Sequence, residues 1–265
     1  MVLPIGDVNP TGRRAYVMWS LVLVNAAVFA YQTLLLDGCA RLAFVYRWAA
    51  IPSEVLSGSP LTADEAGGLL GPCAMPSDPK LVWVPLVTSL FLHGNLAHLL
   101  GNLLFLAVFG DNVEARLGHL RFLGFYAAGG VAATLAFVAL QPGSTIPLVG
   151  ASGAIAAILG AYAICFPRAR VHAVAPFPLY LLALVLPGVR IIRWLIVFAI
   201  VALPAWLMLG GWFVLQTLAL RGQLGTLVAY EAHVAGFVAG IVLVLLLDRR
   251  RVRHQQPAFH PGRRP

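Results

Sequence analysis

Charged residues are scarce in this chain of 265 residues: Asp, Glu, Lys and Arg together make up 11% of it, whereas 60% is hydrophobic. A soluble globular domain carries about 25% charged residues, so this composition excludes an ordinary soluble domain. The mean hydropathy of +0.86 points the same way. We therefore expect an all-α integral membrane protein, because a helix satisfies its own backbone hydrogen bonds inside lipid.

Lysine is almost absent, since Lys80 is the single lysine beside 17 arginines. This bias hints at a GC-rich coding genome and favours a bacterial plasma membrane as the location. The net charge of +8 could suggest nucleic-acid binding, but the arginines fall in short clusters between apolar runs. That pattern is typical of membrane topology rather than of a binding face, so we expect no nucleic-acid partner.

Cysteine is also rare, with three residues in the chain. Cys39 and Cys73 lie in one long polar connection and could form a disulfide if that connection faces an oxidising compartment. Cys165 lies in an apolar run and is interpreted as a packing residue. No cysteine or carboxylate cluster completes a metal site with the histidines, so neither a metal nor another cofactor is expected.

Six apolar segments are long enough to be predicted as spanning helices. The Lys and Arg residues between them alternate from one side to the other, so the positive-inside rule predicts that both termini are cytoplasmic. The chain is thus divided into a cytoplasmic segment at 1–14, a membrane domain at 15–248 with an enlarged external loop at 37–82, and a basic cytoplasmic tail at 249–265. The predicted spans are 15–36, 94–112, 119–140, 152–167, 191–219 and 228–247.

One further apolar segment, at 176–187, is too short to span. Twelve residues rise only about 18 Å as a helix, against a hydrocarbon core of about 30 Å. Its prolines at 176, 178 and 187 would also interrupt a helix. We interpret it as interfacial or re-entrant.

Three predicted helices carry polar side chains at one depth. Ser152, His233 and His98 each lie 13–15 residues before the cytoplasmic end of their helix, which corresponds to about 20–23 Å. Asn102 follows His98 by four residues and so shares its helix face. Ionisable and polar side chains are costly in a membrane and commonly mark function. A nucleophile, a base and two hydrogen-bond donors are the groups that acyl transfer requires.

Each of these residues also has a structural interpretation. Ser152 could be a packing serine, and His98 and Asn102 could be interhelical hydrogen-bonding residues, while His233 could pack, relay protons or bind a metal. Gly150 and Gly153 around the serine permit close backbone approach and unusual dihedral angles. A face of small residues on the last helix, including Gly236, could meet a similar face on the serine helix, which would bring the imidazole to the hydroxyl. Glu231 points elsewhere on its helix and is interpreted as an interfacial acid rather than a third catalytic residue.

Four motifs follow one another along the chain, at His93–Asn102, Gly110–Gly118, Gly150–Gly153 and Ala232–Gly236. With these motifs in this order, the chain resembles the rhomboid intramembrane serine proteases over about residues 83–247. The resemblance implies that Ser152 is the nucleophile and His233 the general base of a dyad. It also implies that Asn102, His98 and the Ser152 N–H form the oxyanion hole, and that Glu114 and Arg116 brace the cytoplasmic connection.

In this family an aromatic residue often lies one turn after the serine. This chain departs from that pattern, because Ala156 occupies the position. The sequence nevertheless predicts a six-helix rhomboid-like bundle that cleaves transmembrane protein substrates in or near their membrane segments. Two other functions are compatible with a helical bundle: an inactive rhomboid-fold protein that binds membrane clients, and a small proton-coupled transporter. A transporter would carry polar groups through the whole membrane depth, whereas these lie in one layer. Neither the substrate nor the oligomeric state follows from the sequence.

Overall fold

The structure is a computed structural model that describes residues 3–9, 11–74, 76, 79–178, 196–221 and 229–248. It is a bundle of helices with a small antiparallel sheet at one end. The helices are α1 (Tyr16–Ala30, continued as a π-helix over Tyr31–Leu35), α2 (Gly38–Trp48), α3 (Pro52–Ser57), α4 (Ala63–Leu70), α5 (Pro85–Thr88), α6 (Leu96–Leu117), α7 (His119–Leu140), α8 (Ser152–Cys165), α9 (Ala205–Arg221) and α10 (Tyr230–Leu247). The strands are β1 (Leu3–Asp7), β2 (Arg170–Pro178) and β3 (Ile196–Pro204).

Four helical segments are long and apolar enough to cross a bilayer by themselves, at Tyr16–Leu35, Leu96–Leu117, His119–Leu140 and Tyr230–Leu247. They match the first, second, third and sixth predicted spans. Two shorter apolar helices, Ser152–Cys165 and Ala205–Leu220, correspond to the fourth and fifth. The helical membrane architecture is therefore confirmed, while the count of six spanning helices stays a prediction.

The fifth span was wrong in its first half. The chain from Ile196 to Pro204 is strand β3, and helix α9 begins only at Ala205. Strand β3 pairs antiparallel with β2 from Arg170↔Pro204 to Pro178↔Ile196. A hydropathy window cannot distinguish such an apolar strand from a helix, and the branched side chains of this stretch favour a strand. Residues 191–195 of the predicted span lie outside the described residues.

The sheet also accounts for two other segments of the sequence. Its third strand, β1, lies in the 1–14 segment and pairs with β2 from Leu3↔Val174 to Asp7↔Val171. The segment at 176–187, interpreted as interfacial or re-entrant, begins as β2, whose backbone is paired as far as Pro178. Residues 179–195 and the predicted tail at 249–265 lie outside the described residues.

Helix α8 is the centre of the bundle. Every residue from Gly153 to Tyr162 is buried, and helices α6, α7, α9 and α10 pack around it. Its small residues allow this, because backbones can approach closely where side chains are Gly or Ala. Since protein rather than lipid surrounds α8, it presents little surface to the bilayer.

The connection between α1 and α5 forms a second, smaller core. Glu54 and Lys80 make a buried ion pair inside it, and Glu54 Oε1 also accepts a hydrogen bond from the Leu61 N–H at 3.0 Å. The Cys39 and Cys73 sulfur atoms are bonded to each other, with 5.4 Å between the Cα atoms. The core is built from five buried side chains: Tyr46, Ile51, Leu61, Ala66 and Leu70.

Candidate active site

Ser152 is the first residue of α8, and it is half-buried rather than enclosed. Backbone N–H groups in the first turn of a helix have no intrahelical acceptor, and they carry the positive end of the helix dipole. Gly150, two residues earlier, has φ +125°, a conformation that L side chains rarely adopt. The serine is therefore presented by a tight turn at a helix terminus that suits a developing negative charge.

The backbones of helices α8 and α10 are in contact along a stripe of glycines on their facing sides. A β-carbon on Gly236 would lie 2.3 Å from the Gly153 carbonyl oxygen, and one on Gly240 would lie 2.0 Å from that of Ala157. A β-carbon on Gly160 would likewise meet the Phe237 carbonyl oxygen at 2.1 Å. The structure thus brings together the small-residue faces predicted on these two helices.

This contact sets the positions of the serine and the histidine. Ser152 directly precedes Gly153, and His233 lies three residues before Gly236, on the same face of α10. Both residues are therefore in the first turn of their helices, beside the point where the two backbones meet. Among the described residues, Ser152 Oγ makes no hydrogen bond to His233; the distance between a nucleophile and its base is often looser before substrate binds.

His98 and Asn102 both face the turn before the serine. A β-carbon on Gly150 would lie 2.7 Å from His98 Cε1 and 3.7 Å from Asn102 Nδ2, so both side chains occupy the space beside that glycine. Asn102 Nδ2 is also 2.9 Å from His93 Nε2, and the His93 and His98 rings are 5.2 Å apart, edge to face. The two predicted oxyanion donors are thus adjacent to the start of α8.

The ring of His233 is held from α9. Its Nδ1 lies 2.8 Å from Gln216 Oε1, and its centroid lies 6.0 Å from that of the Trp212 ring. Glu231 points away, as expected, and its Oε1 accepts a hydrogen bond from Gln141 Nε2 at 2.9 Å. The group that accompanies the imidazole is therefore an amide rather than a carboxylate.

The family model of the Rhomboid domain matches residues 80–250, which is more than half of the chain and includes every candidate site residue. The chain belongs to the rhomboid family.

Three curated rhomboid proteins match part of the chain. The putative rhomboid protease YdcA of Bacillus subtilis (strain 168) is 36% identical over 80 residues, covering 30% of this chain and 40% of that protein. The rhomboid protease GluP of the same organism is 42% identical over 79 residues, covering 30% and 15%. The mitochondrial presenilin-associated rhomboid-like protein A of Danio rerio is 33% identical over 89 residues, covering 33% and 23%. The chain thus spans less than half the length of each of these relatives.

Glu114 and Arg116 of the rhomboid domain lie at the sheet end of the bundle, far along α6 from the site. The Glu114 carboxylate accepts the N–H groups of Val17 at 3.0 Å and Met18 at 2.6 Å, so it caps the start of α1. Arg116 donates two hydrogen bonds to Asp248 Oδ2, at 2.9 and 2.8 Å, and so joins the ends of α6 and α10. The bracing role that the resemblance implies for these two residues stays a prediction.

Sequence reasoning did not name two residues that contact His233 in the candidate site. Gln216 and Trp212 lie in the predicted fifth span, which was assigned from its hydropathy, and neither was named as a candidate. An amide in an otherwise apolar helix is costly in lipid unless it is paired, and this was the available signal for Gln216. The sequence does not show which helix the amide faces.

Proposed function

We propose that this rhomboid-family chain is an intramembrane serine protease. Ser152 acts as the nucleophile, His233 as the general base, and Asn102, His98 and the Ser152 N–H as the oxyanion hole. The observation that carries the proposal is the backbone contact between α8 and α10. It supports the pairing because Gly153 follows the serine directly and Gly236 lies one turn after the histidine.

The chemistry follows from these positions. Ser152 Oγ attacks the carbonyl carbon of the scissile peptide bond while its proton passes to the imidazole of His233. The carbonyl oxygen becomes an oxyanion, and the donors beside Gly150 stabilise it. When the bond to nitrogen breaks, the imidazole returns the proton to the leaving amine. Water, activated by the same imidazole, then hydrolyses the acyl-enzyme.

The substrates are transmembrane proteins cleaved in or near their membrane segments. The site lies at the starts of α8 and α10, so the peptide bond must be presented at that end of the bundle. Ser152, His98 and His233 are half-buried rather than enclosed, which supports access for a polypeptide and for water. The bilayer is the second partner, and we expect the bond to be cleaved on the side opposite the sheet.

Labelling with a fluorophosphonate probe tests the proposal. We expect the wild-type protein to be labelled at serine and to cleave a model transmembrane substrate, and both properties to be lost in Ser152→Ala and in His233→Ala. Matched controls are Ser20→Ala, which removes an exposed hydroxyl bonded to its own helix at Tyr16 O, and His172→Ala, which removes an exposed histidine of β2. Both controls should retain labelling and cleavage.

A protein that folds but is never labelled, and whose substrate processing does not depend on Ser152, would contradict the proposal. The chain would then be an inactive rhomboid-fold protein that binds membrane clients. Binding of the same transmembrane substrate without cleavage would identify that alternative.

A further inference from the structure

Helix α9 carries a side-chain amide in an otherwise apolar stretch, where packing alone does not account for it. Within Ala205–Arg221, Gln216 and Thr217 interrupt an apolar stretch. Thr217 satisfies its hydroxyl within α9 by donating to Phe213 O at 2.9 Å. Gln216 instead reaches across to α10, where its Oε1 lies 2.8 Å from His233 Nδ1.

This contact selects one form of the imidazole. An amide oxygen can only accept a hydrogen bond, so the proton of a neutral imidazole must reside on Nδ1. Nε2 then carries the free lone pair, and this is the nitrogen that a serine hydroxyl would need as its base. The second nitrogen of a functional histidine is commonly fixed by such a partner.

The ring plane is held from the same helix. Trp212 precedes Gln216 by four residues and so lies on the same face of α9, with its ring centroid 6.0 Å from that of His233 and a tilt of 33°. On its α8 side, α10 packs too closely to admit a side chain at Gly236, one turn after the histidine. A β-carbon on Gly236 would already lie 3.2 Å from the Ala156 Cβ.

We propose that Gln216 is a positioning residue that fixes the tautomer and orientation of His233, and that Trp212 supports the ring from the same helix face. The inference rests on the proposed function, because it assigns a partner to the proposed base. It extends that function as follows. In a serine triad an acid orients the histidine, and here a neutral amide supplied by α9 takes that place. An amide holds the imidazole without adding a negative charge inside the bundle.

Two substitutions at residue 216 separate positioning from simple packing. Gln216→Leu keeps a similar volume but removes the acceptor, and we expect kcat to fall by about 10–100-fold with KM unchanged, as part of the ~10²–10⁴ that a positioned base contributes. Gln216→Glu keeps acceptor oxygens, so it should retain cleavage within a few-fold. Because a carboxylate stabilises the imidazolium, it should also move the acidic limb of the pH–rate profile to higher pH. Thr217→Val, the neighbouring polar position, is the matched control and should leave kcat, KM and the profile unchanged.

Initial rates on a model transmembrane substrate would be measured over a range of pH in one detergent, with thermal stability recorded for each variant. A wild-type rate and profile in Gln216→Leu would overturn the inference. So would a Gln216→Glu variant that folds and is as slow as Gln216→Leu, because the amide would then act as a donor. If Gln216→Leu does not fold, the profile of Gln216→Glu decides, and an unshifted acidic limb overturns the inference.

Fluorophosphonate labelling distinguishes this inference from the proposed function. Labelling that requires Ser152 and His233 but is as fast in Gln216→Leu as in wild type would overturn only the role of Gln216. Absence of any labelling dependent on Ser152 would overturn both proposals together.

Discussion

Polar residues in this bundle are few, and three of those near the site have an identified side-chain partner. Asn102 meets His93, His233 meets Gln216, and Glu231 meets Gln141. In a medium without water, an unpaired polar group costs several kcal/mol, so these pairs fix side-chain directions. Ser152 differs because it lies at a helix start and has no hydrogen-bond partner among the described residues. Its hydroxyl can therefore donate to the imidazole of His233, as a serine nucleophile requires.

The oxyanion donors can be separated from the dyad by their effects on rate. Asn102→Ala should slow cleavage by about 10²–10³ without abolishing it, because other donors remain. His98→Ala should behave similarly, and His233→Ala should be far slower because the hydroxyl loses its base. Since His98 and Asn102 face the same glycine, the effects of the two single substitutions should be coupled rather than additive.

Initial rates of both single variants and of the double variant would be measured in one detergent, after equal thermal stability has been established. Wild-type rates in both single variants would mean that these side chains serve packing alone. The oxyanion assignment would then be withdrawn.

Some residues of the candidate site could be predicted from the sequence, and others could not. Ser152 and His233 were predicted as candidates because short motifs of small residues surround them and because their depths agree. The partner of His233 was not found, since Gln216 lies 17 positions away in a helix whose start was misplaced. Periodicity assigns a residue to a face of its own helix, but it does not say which other helix that face meets.

At the scale of elements, the site depends on how closely α8 and α10 approach. Gly240→Ala tests this directly, because the added β-carbon would lie 2.0 Å from the Ala157 carbonyl oxygen. Overpacking of this kind costs about 1–3 kcal/mol, and we expect a lower melting temperature. A displacement of about 1 Å between reacting groups can cost about 10²-fold in rate, so cleavage should fall as well.

Gly124→Ala on α7 is the matched control, because nothing lies within 4 Å of a β-carbon there. Melting temperatures and initial cleavage rates would be compared in the same detergent. Equal values for the two alanine variants would show that the glycine stripe is not what holds α8 against α10.

The β-sheet is the element that the sequence did not predict. Strand β3 falls in the fifth predicted helix, and β1 falls in the cytoplasmic segment at 1–14, for which no strand was predicted. Pairing of β1 with β2 requires contact across more than 160 positions of the chain. Such a contact leaves no periodic signal within either segment. Each of the five other predicted helices could be assigned from the hydropathy and length of its own segment.

Strand β1 should dock in a pH-dependent way. Asp7 accepts hydrogen bonds from Tyr162 Oη and from Asn112 Nδ2, but burial, together with the nearby Asp111 carboxylate, raises the pKa of Asp7 to about 6. Because the docked strand prefers the protonated acid, its stabilisation is complete below the ordinary value near 4 and is lost as the pH rises through about 6.

We therefore expect Leu3–Asp7 to be better protected from hydrogen exchange at pH 5 than at pH 8, after correction for the intrinsic exchange rate. Asp7→Asn should remove most of this difference, while Asp64→Asn, at an exposed position of α4, should leave it unchanged. Equal protection of β1 at both pH values in the wild-type protein would contradict the role given to Asp7.

At the scale of the whole molecule, the two ends of the bundle differ chemically. Among the described residues, the sheet end holds the cap of Glu114 on α1, the Arg116–Asp248 pair and four arginines that lie outside the helices, Arg13, Arg14, Arg168 and Arg170. The opposite end holds the disulfide, the small core of α2–α4 and the candidate site. A disulfide persists in an oxidising compartment, and arginine clusters favour the cytoplasm. The disulfide and the arginines therefore indicate the same orientation, with the sheet end toward the cytoplasm. They do so through unrelated chemistry.

Thiol labelling in intact cells tests this orientation. In a Cys165→Ser background the other two cysteines are bonded to each other, so a single new thiol can be followed. Ser59→Cys, at an exposed position after α3, should react with a membrane-impermeant maleimide without lysis. Gly12→Cys, in open space before α1, should react only after the membrane has been permeabilised. The background protein alone should stay unlabelled until it is reduced, which also tests the disulfide. The reverse pattern would place the candidate site on the cytoplasmic side, where the substrates would have to be cleaved.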